Sequence, residues 1–137
     1  MNLMNKQELN KCRLEAQRLW LSGWYVLMDE ESALRECNGC GADWMPAWIR
    51  QFLSWLLKIF AAAFAIHDMR YWRNEGNRHE WDDEFEMNCR TIARDKYTWY
   101  HPMRYICYWV ARRLRIALTI GGELAWKEAG KRFTEET

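Results

Sequence analysis

Apolar and polar positions alternate along this chain with the period of an α-helix over most of its length. Between residue 5 and about residue 28, Leu9, Cys12, Ala16, Leu19, Trp20 and Leu27 recur at helical spacing, while Lys6, Lys11, Arg13 and Glu15 fall mostly elsewhere. The spacing predicts an N-terminal amphipathic helix over residues 1–28 that covers a core and is weakened at Gly23. Residues 29 to 44 lose the periodicity and contain Glu36-Cys37-Asn38-Gly39-Cys40-Gly41-Ala42-Asp43. Gly39 and Gly41, one residue apart, let the backbone aim carbonyl or amide groups in one direction, so this stretch reads as a loop able to hold a ligand.

Pro46 suits the first turn of the next helix, whose apolar run extends from Trp48 to Ile66. Arg50 and Gln51 flank the run, Lys58 interrupts it, and Phe52 to Ile66 is only 15 residues. A bilayer needs about 20, so the run reads as a central buried helix, with attachment at a membrane interface as the alternative. After a turn marked by Asn74, Gly76 and Asn77, a helix over about 78–95 puts Asp82, Phe85, Cys89, Ile92 and Ala93 on one face and Asp83, Glu86, Arg90 and Arg94 on another. Asp82 is thereby expected to point inward and Asp83 outward.

An aromatic loop with Tyr97, Trp99 and Tyr100 leads to Pro102, which opens a final long helix. Its packing stripe is Met103, Ile106, Cys107, Val110, Leu114, Ala117, Leu118, Gly121, Leu124 and Ala125, and Lys131 to Thr137 reads as a frayed tail. Gly121-Gly122 either kinks this helix or admits another element closely. No β pattern competes. The expected fold is all-α, a single compact bundle of about four helices spanning residues 1–137.

Composition changes this picture only in places. A chain of 137 residues with 50% hydrophobic and 28% charged residues is one globular domain. Its net charge of +1 supplies no global field, so no nucleic-acid partner is expected. Arg112, Arg113 and Arg115 form a local basic group, read either as a solvated helix face or as a contact for phosphate or lipid headgroups. Ten tryptophans exceed what a core this small takes, and exposed indoles suit a lipid interface or a protein partner. Five cysteines, an odd number, with charged residues interrupting the start where a secretory leader would lie, point to a reducing compartment.

The candidate chemistry gathers at the end of the apolar run. On a helix, His67 and Tyr71 are four residues apart and share a face, with Asp68 a quarter-turn round. The turn at 74–77 folds the next helix back antiparallel and brings inward Asp82 towards His67. A histidine with its own carboxylate is the minimum apparatus for activating water, and an inward carboxylate needs a partner. Blander roles stand beside this: His67 as a structural histidine, Asp68 in an ion pair with Arg70 or Arg73, and His79 and His101 as surface histidines. Cys37 and Cys40 could also form half of a zinc site completed by Cys89 or His79.

The string His67-Asp68-x-x-Tyr71 with a later Asp82, preceded by Cys37-Asn38-Gly39-Cys40-Gly41, resembles the active-site helices and glycine-rich calcium loop of the phospholipase A2 superfamily. It is most similar to small phage and prophage proteins of phospholipase A2-like type, which also carry a proline, an apolar helix ending in His-Asp-x-x-Tyr, an Asp-x-x-Phe helix and an arginine- and glycine-bearing C-terminal helix. The match covers about residues 37–126. The resemblance implies that His67 is the general base and Asp82 its orienting carboxylate, with Tyr71 hydrogen-bonded to Asp82. It also implies that Asp68 ligates calcium together with backbone carbonyls near Gly39 and Gly41.

On that reading the reaction is hydrolysis of a glycerophospholipid acyl ester, at the sn-2 position, on a phospholipid membrane surface. The chain departs from secreted enzymes in having Ala63 and Phe64 where they pair cysteines, a longer interval from loop to histidine, and Asp43-Trp44 where further glycines are expected. The implied location is the host cytoplasm or the virion, peripheral at a membrane, without a signal peptide or full transmembrane span. The alternatives are a non-catalytic phage accessory or structural protein that binds a host or virion partner with the same fold, and a protein anchored in lipid by the 48–66 helix.

Overall fold

Side-chain caps mark several of the helix starts. In the computed structural model, which describes residues 4–37 and 47–136, Asn5 caps α1 (Lys6–Arg18) by accepting from the Glu8 backbone N–H at 2.8 Å, and its amide returns a bond to the Glu8 carboxylate. The first bond satisfies one of the unpaired N–H groups of the first turn, and the second, between side chains, holds the cap in place. A 3-10 turn, Trp24–Met28, leads to α2 (Glu30–Glu36), capped by Asp29. Then follow α3 (Ala47–Ile59), α4 (Ala61–Arg73), α5 (Arg78–Lys96), α6 (Pro102–Gly121) and α7 (Glu123–Glu136). Asn77 caps α5, and His101 accepts from the Met103 N–H to cap α6 with Pro102 in its first turn.

Helix α4 is the centre. Every residue from Ala62 to His67 is buried, as expected of a helix apolar all round, and α1, the 3-10 turn, α2, α5 and α7 pack on it. Helix α6 packs along α5. The pairings 71 with 82, 70 with 84 and 64 with 85 run in opposite directions along α4 and α5, which makes them an antiparallel pair. At its core end the Phe64 and Phe85 rings lie 4.8 Å apart. Among the described residues all regular structure is helical, and no helix is long and apolar enough to cross a membrane.

Three of the expected long helices are broken. The N-terminal helix stops at Arg18 because the chain reverses: Trp20 takes φ +51° and Gly23 φ +80°. A Cβ at Gly23 would stand 2.8 Å from the Arg70 guanidinium, so this turn both requires glycine and makes room for that side chain. Trp20, assigned by periodicity to the apolar face, is 77% exposed. The stretch after it is not all loop, since α2 fills part of it. The expected single buried helix over 48–66 is two helices. The bend at Phe60 tucks that ring into the core and leaves Trp48 and Trp55 of α3 exposed, so only the second half is central.

The final helix divides at Gly122, and residues to Glu136 are helical rather than frayed. Within its expected stripe Cys107, Val110, Leu114 and Leu118 are buried, but Ile106 and Leu124 are exposed. Boundaries of α5 and the start of α6 fall where the sequence places them.

Candidate active site

His67 and Tyr71 stand one helical turn apart on α4, with ring centroids 4.3 Å apart. Both reach Asp82 on α5. His67 Nε2 lies 2.8 Å from Asp82 Oδ1, and the Tyr71 hydroxyl donates to the same oxygen at 2.8 Å. Thr119 of α6 donates to Asp82 Oδ2 at 3.1 Å. Asp82 is 0% exposed and His67 4%, so the carboxylate exchanges water for three donors at once. Burial alone would raise the acid's pKa, but the bonds from His67, Tyr71 and Thr119 outweigh it and hold Asp82 below the usual carboxylate value. Burial, and then the neighbouring Asp82, push the Tyr71 phenol well above its ordinary value, so it stays a donor. A carboxylate acceptor assigns the proton on the imidazole to Nε2, which leaves Nδ1 as the basic nitrogen.

Asp83, the adjacent acid, faces outward as the helical period requires and pairs with Arg115. Asp68 is half-buried on α4, and its charge helps raise the pKa of Cys37, after burial of that thiol as the main cause. The acid therefore lies near Cys37, the last described residue before the segment that carries Gly39 and Gly41. Those two glycines and Cys40 lie outside the described residues. Cys37 itself donates to the Ala65 carbonyl, and Cys89 is wholly buried in the core. Among the described residues no group of three or more His, Cys, Asp or Glu side chains could hold a metal ion. His79 and His101 are exposed.

A second polar centre lies beside the first. Arg70 clasps Glu84 with two bonds of 3.0 Å, so the guanidinium offered by sequence as a partner for Asp68 belongs to another acid. The Tyr25 hydroxyl lies 3.2 Å from Arg70, the Trp81 ring 4.2 Å beneath its charge, and Ser22 donates to Glu84 at 2.8 Å. Asn88 closes the reversal at Ser22 with bonds of 2.8 and 2.9 Å to its backbone. This centre ties the N-terminal turn to both helices of the dyad.

Sequence reasoning missed Thr119, Glu84 and Asn88, and at Gly122 it offered a kink or a close approach without naming Tyr71 as the neighbour. Thr119 had a signal, a lone hydroxyl in an apolar stretch. Gly122 is explained only by tertiary contact: a Cβ there would meet the Tyr71 hydroxyl at 2.8 Å. No protein-family model, curated protein or solved structure matches this chain.

Proposed function

We propose that this chain is a phospholipase A2-type hydrolase, which uses His67 to activate water against a glycerophospholipid acyl ester. The observation that carries the reading is the buried His67–Asp82 pair at 2.8 Å, bonded through Nε2, with Tyr71 and Thr119 fixing the carboxylate. In this arrangement His67 Nδ1 takes a proton from water while the water oxygen attacks the ester carbonyl. Asp82 remains a carboxylate and stabilises the imidazolium. The imidazolium then returns the proton to the departing glycerol oxygen, giving a fatty acid and a lysophospholipid.

Asp68 fits a calcium requirement in kind, being a hard oxygen donor close to Cys37. It would hold the ion with carbonyls of Gly39 and Gly41. A bound calcium would supply charge stabilisation for the developing oxyanion.

One observation favours a binding protein without catalysis: His67 is almost fully enclosed. Fatty-acid release from mixed phospholipid micelles separates the two. Hydrolysis that needs calcium, stops with chelator and falls at least about 100-fold in His67→Gln and Asp82→Asn supports the enzyme, on the usual scale of general-base effects. A folded parent chain that is inert on several lipid classes gives the binding reading the stronger claim, and a His67→Gln variant with parental rate removes His67 as the base.

A further inference from the structure

Helix α6 is apolar on two opposite sides, and the fold accounts for only one. Cys107, Val110, Ala111, Leu114 and Leu118 face the core. On the outside Tyr105, Trp109, Ile116 and Ile120 are exposed, Trp109 by 61% and Ile120 by 77%. At helical geometry these four fall within about 60° of arc and extend about 22 Å. Trp99 and Tyr100 continue the surface beyond the N-terminal end, and the Tyr105 hydroxyl bonds to the Trp99 carbonyl, which ties loop to stripe. An apolar strip of this length on a chain otherwise rich in surface charge marks a contact surface.

Charge selects the occupant. Helix α6 carries Arg104, Arg112, Arg113 and Arg115 and no acidic residue. Arg115 is spent on Asp83, and Arg112 reaches Glu86 at 3.3 Å while staying exposed. Arg113 stacks over the Trp109 ring at 5.0 Å, at the edge of the stripe. Two copies of this face laid together would oppose arginine to arginine. An anionic surface would instead meet them with phosphates, which guanidinium binds in a planar fork. Indole and phenol rings suit the headgroup level, and isoleucines suit the acyl boundary just below it.

We infer that the outer face of α6 docks flat on an anionic phospholipid bilayer, with Trp109, Ile116 and Ile120 inserted and Arg112 and Arg113 on the phosphates. The biological purpose of this contact rests on the hydrolase reading, because it names the surface by which such an enzyme meets its substrate. Thr119, on the same helix, holds Asp82, so the docked element touches the dyad.

The test is co-sedimentation with vesicles of ether-linked phosphatidylglycerol or ether-linked phosphatidylcholine, which cannot be hydrolysed at an acyl ester. The full chain is expected to partition onto the anionic vesicles and to release as salt rises. Trp109→Ser with Ile120→Ser should weaken partitioning at least tenfold, and Arg113→Gln should reduce its salt dependence. Leu14→Ser, at an exposed leucine on α1, should leave it unchanged. Equal partitioning of parent and double variant overturns the inference. So does a parent that ignores anionic vesicles, or one that sediments as a dimer which the double variant dissolves. Retained docking with no ester hydrolysis removes the catalytic reading and leaves this one standing. Lost docking with intact hydrolysis of a short-chain monomeric ester does the reverse.

Discussion

Replacing Gly122 with alanine adds one methyl group at the junction of α6 and α7, and the surroundings have no room for it. The new carbon would lie 2.5 Å from the Leu118 carbonyl, 2.8 Å from the Tyr71 hydroxyl and 3.0 Å from Tyr71 Cε2. Backbone strain is not the cause, because Gly122 has φ −85°, which alanine adopts freely. Overpacking of this kind costs about 1–3 kcal/mol. Displacing the phenol also weakens a bond to a buried carboxylate, worth about 1.5–3 kcal/mol. Alanine recovers about 0.5–1 kcal/mol of chain entropy. The expected net loss is about 2–4 kcal/mol, or on the order of 10 °C in Tm for a domain of this size.

Urea unfolding followed by circular dichroism measures it, with Gly121→Ala, at an exposed neighbour, as the control expected within about 0.5 kcal/mol of the parent. Tyr71→Phe removes the hydroxyl that the methyl strikes. The double variant should therefore be more stable than the sum of single losses implies, by about 1 kcal/mol or more. Additive losses, or a Gly122→Ala chain as stable as the parent, would show that Gly122 does not set the position of Tyr71.

Two more outcomes test the polar framework. Arg70→Ala strands Glu84 in a buried site and should cost about 3–5 kcal/mol, whereas Arg18→Ala, which breaks the exposed pair with Asp95, should cost far less; denaturant midpoints that reverse this order refute the clamp. Asp82 has a folded pKa below its unfolded one, so its contribution is present above the unfolded value, about 3.9, and is lost as pH falls through the folded value. Stability of the parent should drop more steeply than that of Asp82→Asn on acidification below about pH 4, and identical acid limbs would contradict the assignment.

The all-α class and the antiparallel dyad helices were legible in the sequence because periodicity there coincides with packing. Asp82 and Asp83 differ by one residue and about 100° of helix, and the apolar positions around them decide which faces inward. The breaks were not legible. Phe60 is an unremarkable helix residue that bends because its ring is wanted in the core, and Trp20 enters the left-handed region to complete a reversal held by Asn88. Helix α2 is seven residues long, too short to display a period, and Asp29 as its cap was the available signal. The Arg70–Glu84 pair was not legible, and Arg70 was offered to Asp68 instead, because the two are matched only across the interhelical gap. The Gly39 and Gly41 expectation falls outside the described residues.

His67, Tyr71 and Asp82, and both parts of the neighbouring ion clasp, come from residues 67–84, a single turn-linked hairpin. Their relative placement is therefore inherited from local chain geometry, and distant loops need not close before it exists. Segments outside this hairpin act on the imidazole through its partners, Thr119 by its bond to Asp82 and Gly122 by the space it leaves for Tyr71, so exchanging those segments leaves the alignment intact only where these two contacts are kept.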